Sequence, residues 1–62
     1  MSRNFDHVAY SVSTLVYQYN SYSPNTIEYV LFNQGLLAGL ERQTEASDSP
    51  VYLEGYQIGQ TY

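Results

Sequence analysis

The residues best suited to acid–base chemistry in this 62-residue chain are the neighbours Asp6 and His7. An imidazole beside a carboxylate can exchange a proton near neutral pH. Nucleophilic catalysis also needs a hydroxyl or thiol within reach and donors for a developing oxyanion. No spacing in the chain supplies either. A glycine-rich phosphate loop and a nucleophile elbow are both missing from the sequence. One histidine cannot build a His-based metal cluster within a chain, and the lack of cysteine excludes thiolate zinc sites and disulfides. Asp6 and His7 therefore read as a solvated first helical turn, with Asp6 at the positive end of the helix dipole. No catalytic, cofactor-binding or metal-ligating residue is assigned, and a non-enzymatic role is expected.

Recognition chemistry is better represented. Eight tyrosines, at 10, 17, 19, 22, 29, 52, 56 and 62, are a heavy load for so short a chain. Tyrosine brings contact area at low entropic cost and keeps a polar tip, which suits binding surfaces. Tyr10, Tyr17 and Tyr22 fall off the main apolar stripe or in a loop and are the candidate contacts with a partner. Tyr19 and Tyr29 are expected to extend the core.

The charge balance narrows the partner. Asp6, Glu28, Glu41, Glu45, Asp48 and Glu54 face only Arg3 and Arg42, for a net charge of −4. Such a surface repels phosphate backbones, so direct nucleic-acid binding is not expected. The carboxylates are scattered rather than ranked, so mimicry of DNA is a weaker alternative. The longest apolar stretch, 27–40, holds Glu28, Asn33 and Gln34. It falls short of the roughly 20 apolar residues that cross a bilayer. No apolar signal core opens the chain. A cytoplasmic protein with no membrane partner is expected.

Three helical segments would carry these residues. Phe5, Val8, Ala9, Val12, Leu15, Val16 and Tyr19 follow the i, i+3, i+4, i+7 template and predict a helix over 4–20. Ser23 with Pro24, or Asn25 with Glu28, opens a second helix over 24–43. Ser49 with Pro50 opens a third over 50–59. The chain is one all-α, three-helix domain. At this length it buries only about 60% of its unfolded surface, and a partner subunit is the staple left open.

All four glycines fall inside these helices. Gly35-Leu36-Leu37-Ala38-Gly39 and Gly55-Tyr56-Gln57-Ile58-Gly59 are both G-x-x-x-G, and the surrounding eight residues align at an offset of twenty. A helical glycine costs about 1 kcal/mol relative to alanine, so four need a compensating contact. Glycines four apart share one face and let another backbone come close. The favoured reading is a homodimer through Leu31, Phe32, Gly35, Ala38, Gly39 and Arg42, with Gly55 and Gly59 as a second glycine face. Two other readings stay open. The pairs could face each other within one chain, or Gly59 could be a helix C-cap. An antiparallel dimer crossing at Gly35 would bring Glu28 of one copy to Arg42 of the other.

A tiny, acidic, cysteine-free helical chain with glycine motifs at 35–39 and 55–59 resembles small phage-encoded inhibitors of bacterial anti-phage defence. Within that group it is similar to the vibriophage inhibitors of BREX, which self-associate through a glycine-bearing helix. The resemblance implies a stoichiometric inhibitor that binds a host defence protein, with the BREX ATPase as candidate target, in the host cytoplasm. Other functions compatible with the residues are a structural adaptor forming a permanent homo-oligomer and an acidic decoy for a DNA-binding protein.

Overall fold

The computed structural model describes residues 11–62 and contains, among them, three helices and no strand: α1 Val12–Tyr19, α2 Ile27–Leu40 and α3 Pro50–Gln60. The all-α, three-helix expectation is met. The segment boundaries differ in instructive ways.

The apolar pattern over 4–20 suggested one continuous helix. The described part starts at Val12, because Ser11 is extended (φ −62°, ψ 155°) and its hydroxyl accepts the Thr14 amide. That is an N-cap, which satisfies one of the orphan donors of the first turn. Residues 4–10, with Asp6, His7 and Tyr10, lie outside the described residues.

α2 begins at Ile27 instead of at Pro24. Ser23 to Thr26 form a turn in which the Thr26 amide and hydroxyl both donate to the Ser23 carbonyl. Thr26 Oγ1 then accepts the Tyr29 amide and caps the helix. The helix ends at Leu40, not Gln43, in a Schellman turn. Gln43 N–H donates to the Ala38 carbonyl at 2.9 Å and Arg42 N–H to that of Gly39 at 3.1 Å. Arg42 takes the left-handed position with φ 59°, a place usually held by glycine. Its Nη1 donates to the Gln60 carbonyl at 2.7 Å, at the negative end of α3. α3 starts at Pro50 after Ser49, as its sequence signals, and extends one residue beyond the expected end.

α2 and α3 run parallel, side by side. Gly35 lies against Tyr52 and Tyr56, and Gly39 against Tyr56, Gly59 and Gln60. Gly55 in turn lies against Phe32 and Leu36, and Gly59 against Leu36, Leu40 and Gly39. Each contact of one helix is repeated on the other at an offset of twenty. The sequence repeat is thus a local two-fold relation between two parallel helices. The glycine expected as a possible C-cap, Gly59, sits inside α3 as part of this seam.

A parallel pair needs its connection to run back the full length of α3. Residues 41–49 do this, and two buried tyrosines of α3 hold them down. The Tyr56 hydroxyl donates to the Gln43 carbonyl, and the Tyr52 hydroxyl accepts the Ala46 amide at 3.1 Å. The two rings stack at 6.3 Å and, with Ala38, Leu31 and Leu53, make the core on this flank. On the opposite flank α1 and the following loop cover α2. Leu15, Phe32 and Leu36 are the most deeply buried large side chains.

Candidate contact surface

The glycine faces are not available to a second chain in this fold. A methyl built on Gly35 would overlap the Tyr52 carbonyl oxygen and lie 2.9 Å from its carbonyl carbon. At Gly39, Gly55 and Gly59 the obstruction is again a backbone carbonyl, of Tyr56, Phe32 and Leu36 respectively. Backbones this close exchange Cα–H···O contacts and dispersion, which offsets the poor helix propensity of four glycines. Of the residues expected at a dimer interface, Phe32, Gly35, Ala38 and Gly39 are buried and Leu31 packs at the core edge. Arg42 is spent on the Gln60 carbonyl. The partner they were assigned is therefore replaced by α3 of the same chain. The parallel seam also leaves no place for an antiparallel Glu28–Arg42 pairing across Gly35.

Of the tyrosines expected as contacts, Tyr17 of α1 is 91% exposed. Tyr22 is otherwise employed. It is half-buried, its ring lies 6.2 Å from that of Phe32, and its hydroxyl donates to Glu54 Oε1 at 3.1 Å. This joins the α1–α2 loop to α3. The hydrogen bond to Glu54 raises the Tyr22 pKa above its usual 10.0, helped by desolvation and by the charges of Glu54 and Glu28. A phenol whose folded pKa is raised contributes stability that is fully present below the unfolded value. That contribution is lost as pH climbs past about 10. Tyr22→Phe is expected to flatten the alkaline limb of a stability-versus-pH curve between pH 9 and 11. A limb of unchanged slope would show that the Tyr22–Glu54 bond does not form in solution.

The surface left open lies between α1 and the outer face of α2. A groove of about 510 Å³ is lined by Val12, Ser13, Val16 and Tyr17 of α1 and by Tyr29 and Asn33 of α2. None of these six is charged. Beyond its α2 edge, at helical spacing, come Val30 and Leu37, which are 43% and 42% exposed, and Ile27 at 66%. Ile27 is open because the first turn of α2 projects past the start of α3. α1 is set at this angle by Asn20, whose Nδ2 donates to the Tyr29 carbonyl at 3.1 Å and to Asn33 Oδ1 at 2.7 Å. Its last turn is tied to the chain end by a 2.6 Å bond between the Tyr19 and Tyr62 hydroxyls. Asn20 had no visible signal in the sequence beyond ending an apolar run.

The arrangement offers shape, apolar area and a few hydrogen-bonding tips. Among the described residues no group of His, Cys, Asp or Glu is placed to hold a metal ion, and no helix is long and apolar enough to cross a membrane. What the fold and surface define is a small helical protein built on a parallel, glycine-packed helix pair, with an uncharged aromatic groove on one side. No protein-family model, curated protein or solved structure matches the chain.

Proposed function

We propose that this chain is a non-catalytic protein-binding module whose contact surface is the groove between α1 and α2, extended over Ile27, Val30 and Leu37. The observation that carries the reading is the concentration of exposed aromatic and aliphatic side chains there, headed by Tyr17. Aromatic anchors within an exposed apolar patch are the usual centres of binding energy at protein interfaces. The net charge of −4 favours a partner with a basic rim and speeds encounter with it.

The resemblance to phage-encoded defence inhibitors supplies the specific form of the proposal. The chain binds a component of a bacterial defence system one-to-one, with the BREX ATPase as the first candidate, and blocks it without turnover. Self-association through the glycine faces belongs to the same proposal under one condition. With both faces occupied within the chain, a second copy reaches them only if α3 is exchanged between the two copies.

Capture of the candidate ATPase by tagged protein tests this reading. Tyr17→Ser combined with Leu37→Ser is expected to weaken capture by about thirtyfold, the loss of roughly 2 kcal/mol typical of an interface anchor. Both side chains are exposed, so stability should stay within about 1 kcal/mol of wild type. Capture that survives this pair, or is lost only with a substitution on the 41–49 segment, would move the contact surface elsewhere.

A further inference from the structure

The two flanks of the α2–α3 pair are equivalent by the twenty-residue offset, yet they are closed by different means. On one flank Tyr52 and Tyr56 reach the return segment with buried hydroxyls, at Ala46 and Gln43. The equivalent positions on the other flank are Phe32 and Leu36, which carry no polar side-chain atom. At 100° per residue the surface of α2 runs from Gly35 and Gly39 through Phe32 and Leu36 to the Tyr29 and Asn33 edge of the groove. α1 lies over that strip.

α1 is a weakly fixed cover. Its described length is eight residues, and an isolated helix so short is not stable in water. Only Leu15 of its residues is buried. Its polar ties to the rest of the chain gather at its C-terminal end, at Tyr19 and Asn20. At its start, among the described residues, the Ser11 hydroxyl bonds to Ser13 and Thr14 of its own first turn.

We infer that α1 opens and closes as a unit over Phe32 and Leu36, hinging at Asn20, while the glycine seam keeps α2 and α3 together. Closed, α1 forms one wall of the groove. Open, it removes that wall and exposes the Phe32–Leu36 strip. A partner that grips the groove binds the closed form alone, so its apparent affinity scales with the closed fraction. The opening itself is a property of the free chain and stands or falls apart from any partner.

Amide hydrogen exchange on the full chain tests it. The amides of residues 15–20 are expected to exchange at least about a hundredfold faster than those of 32–39 and 52–59, as a cooperative unit of low local stability does. Tyr19→Phe removes the hydroxyl pair with Tyr62 and should speed the 15–20 amides while leaving the other two groups unchanged. Leu15→Ala should do the same more strongly. Should that variant fail to fold, Tyr19→Phe still decides the matter. One common rate for all three helices, or acceleration of all three in parallel by Tyr19→Phe, would overturn the inference.

Discussion

Gly35→Ala is expected to lower the melting temperature by about 8–16 °C, although alanine is the better helix former. Propensity alone would gain about 1 kcal/mol. The added methyl, however, meets the backbone of α3 and not a side chain that can swing aside: it overlaps the Tyr52 carbonyl oxygen and stands 3.0 Å from the Tyr56 amide nitrogen. Relief requires the two helices to part, which forfeits the close contacts at Gly39, Gly55 and Gly59 as well. Overpacking of this kind costs about 3 kcal/mol or more. A chain of this size is held by only about 3–9 kcal/mol, at roughly 0.05–0.15 kcal/mol per residue. At about 4–8 °C per kcal/mol the net loss gives the stated shift. Gln57→Ala, on the exposed side of α3, is the matched control and should move the melt by only a few degrees. Thermal unfolding followed by far-ultraviolet circular dichroism reads both. A Gly35→Ala protein that melts higher than wild type would mean that the seam is looser than described.

Phe32→Ala should be of similar size, with a different origin. Phe32 is 1% exposed and borders both the seam and the Tyr22 ring. Truncation leaves a cavity and removes the platform on which Tyr22 is held over Glu54. A Phe→Ala change in a packed core costs about 3–5 kcal/mol. The urea midpoint should fall accordingly, with little change in slope while folding stays two-state. Phe32→Leu keeps most of the volume and should lose about 1.5 kcal/mol. Because Phe32 and Tyr22 touch, Tyr22→Phe is expected to matter less in a Phe32→Ala background. Equal effects in both backgrounds would separate the two residues energetically.

Much of the fold is legible in the residues. The 3.6-residue spacing of apolar positions, the Ser49-Pro50 start and the polar 44–49 stretch place α2 and α3 to within about three residues, whereas the first helix, expected from residue 4, is described only from Val12. The twenty-residue repeat identifies the glycines as one packing device. What the spacing cannot give is which backbone comes close, because a bare helix face looks the same to a neighbour in the chain and to a second copy. Length is compatible with a neighbour in the same chain. Nine residues, 41–49, at up to about 3.3 Å each can return along the roughly 16 Å of an eleven-residue helix, and so allow a parallel pair within one chain. The helix ends were misplaced for local reasons. Thr26 outcompetes Ser23 as a cap, and Arg42 adopts a left-handed conformation that its side-chain type does not advertise.

The contact surface was less legible. Tyr17 stood out because it falls off the apolar stripe of its helix. Tyr22 looked equivalent, but its hydroxyl finds Glu54, thirty-two residues away, and no local pattern encodes that meeting. The buried roles of Tyr52 and Tyr56 depend on where the return segment passes. The α1–α2 groove depends on the amide of Asn20 choosing Tyr29 and Asn33. These are tertiary hydrogen bonds between residues that are ordinary in sequence.

The most direct measurement is a nuclear Overhauser experiment on isotope-labelled chains diluted into an excess of unlabelled ones. Parallel packing within one chain predicts cross-peaks between the α-protons of Gly39 and Gly59 that keep their intensity on dilution and join labelled protons to labelled protons. Cross-peaks that fade with dilution and reappear between labelled and unlabelled chains would place the glycine seam between molecules.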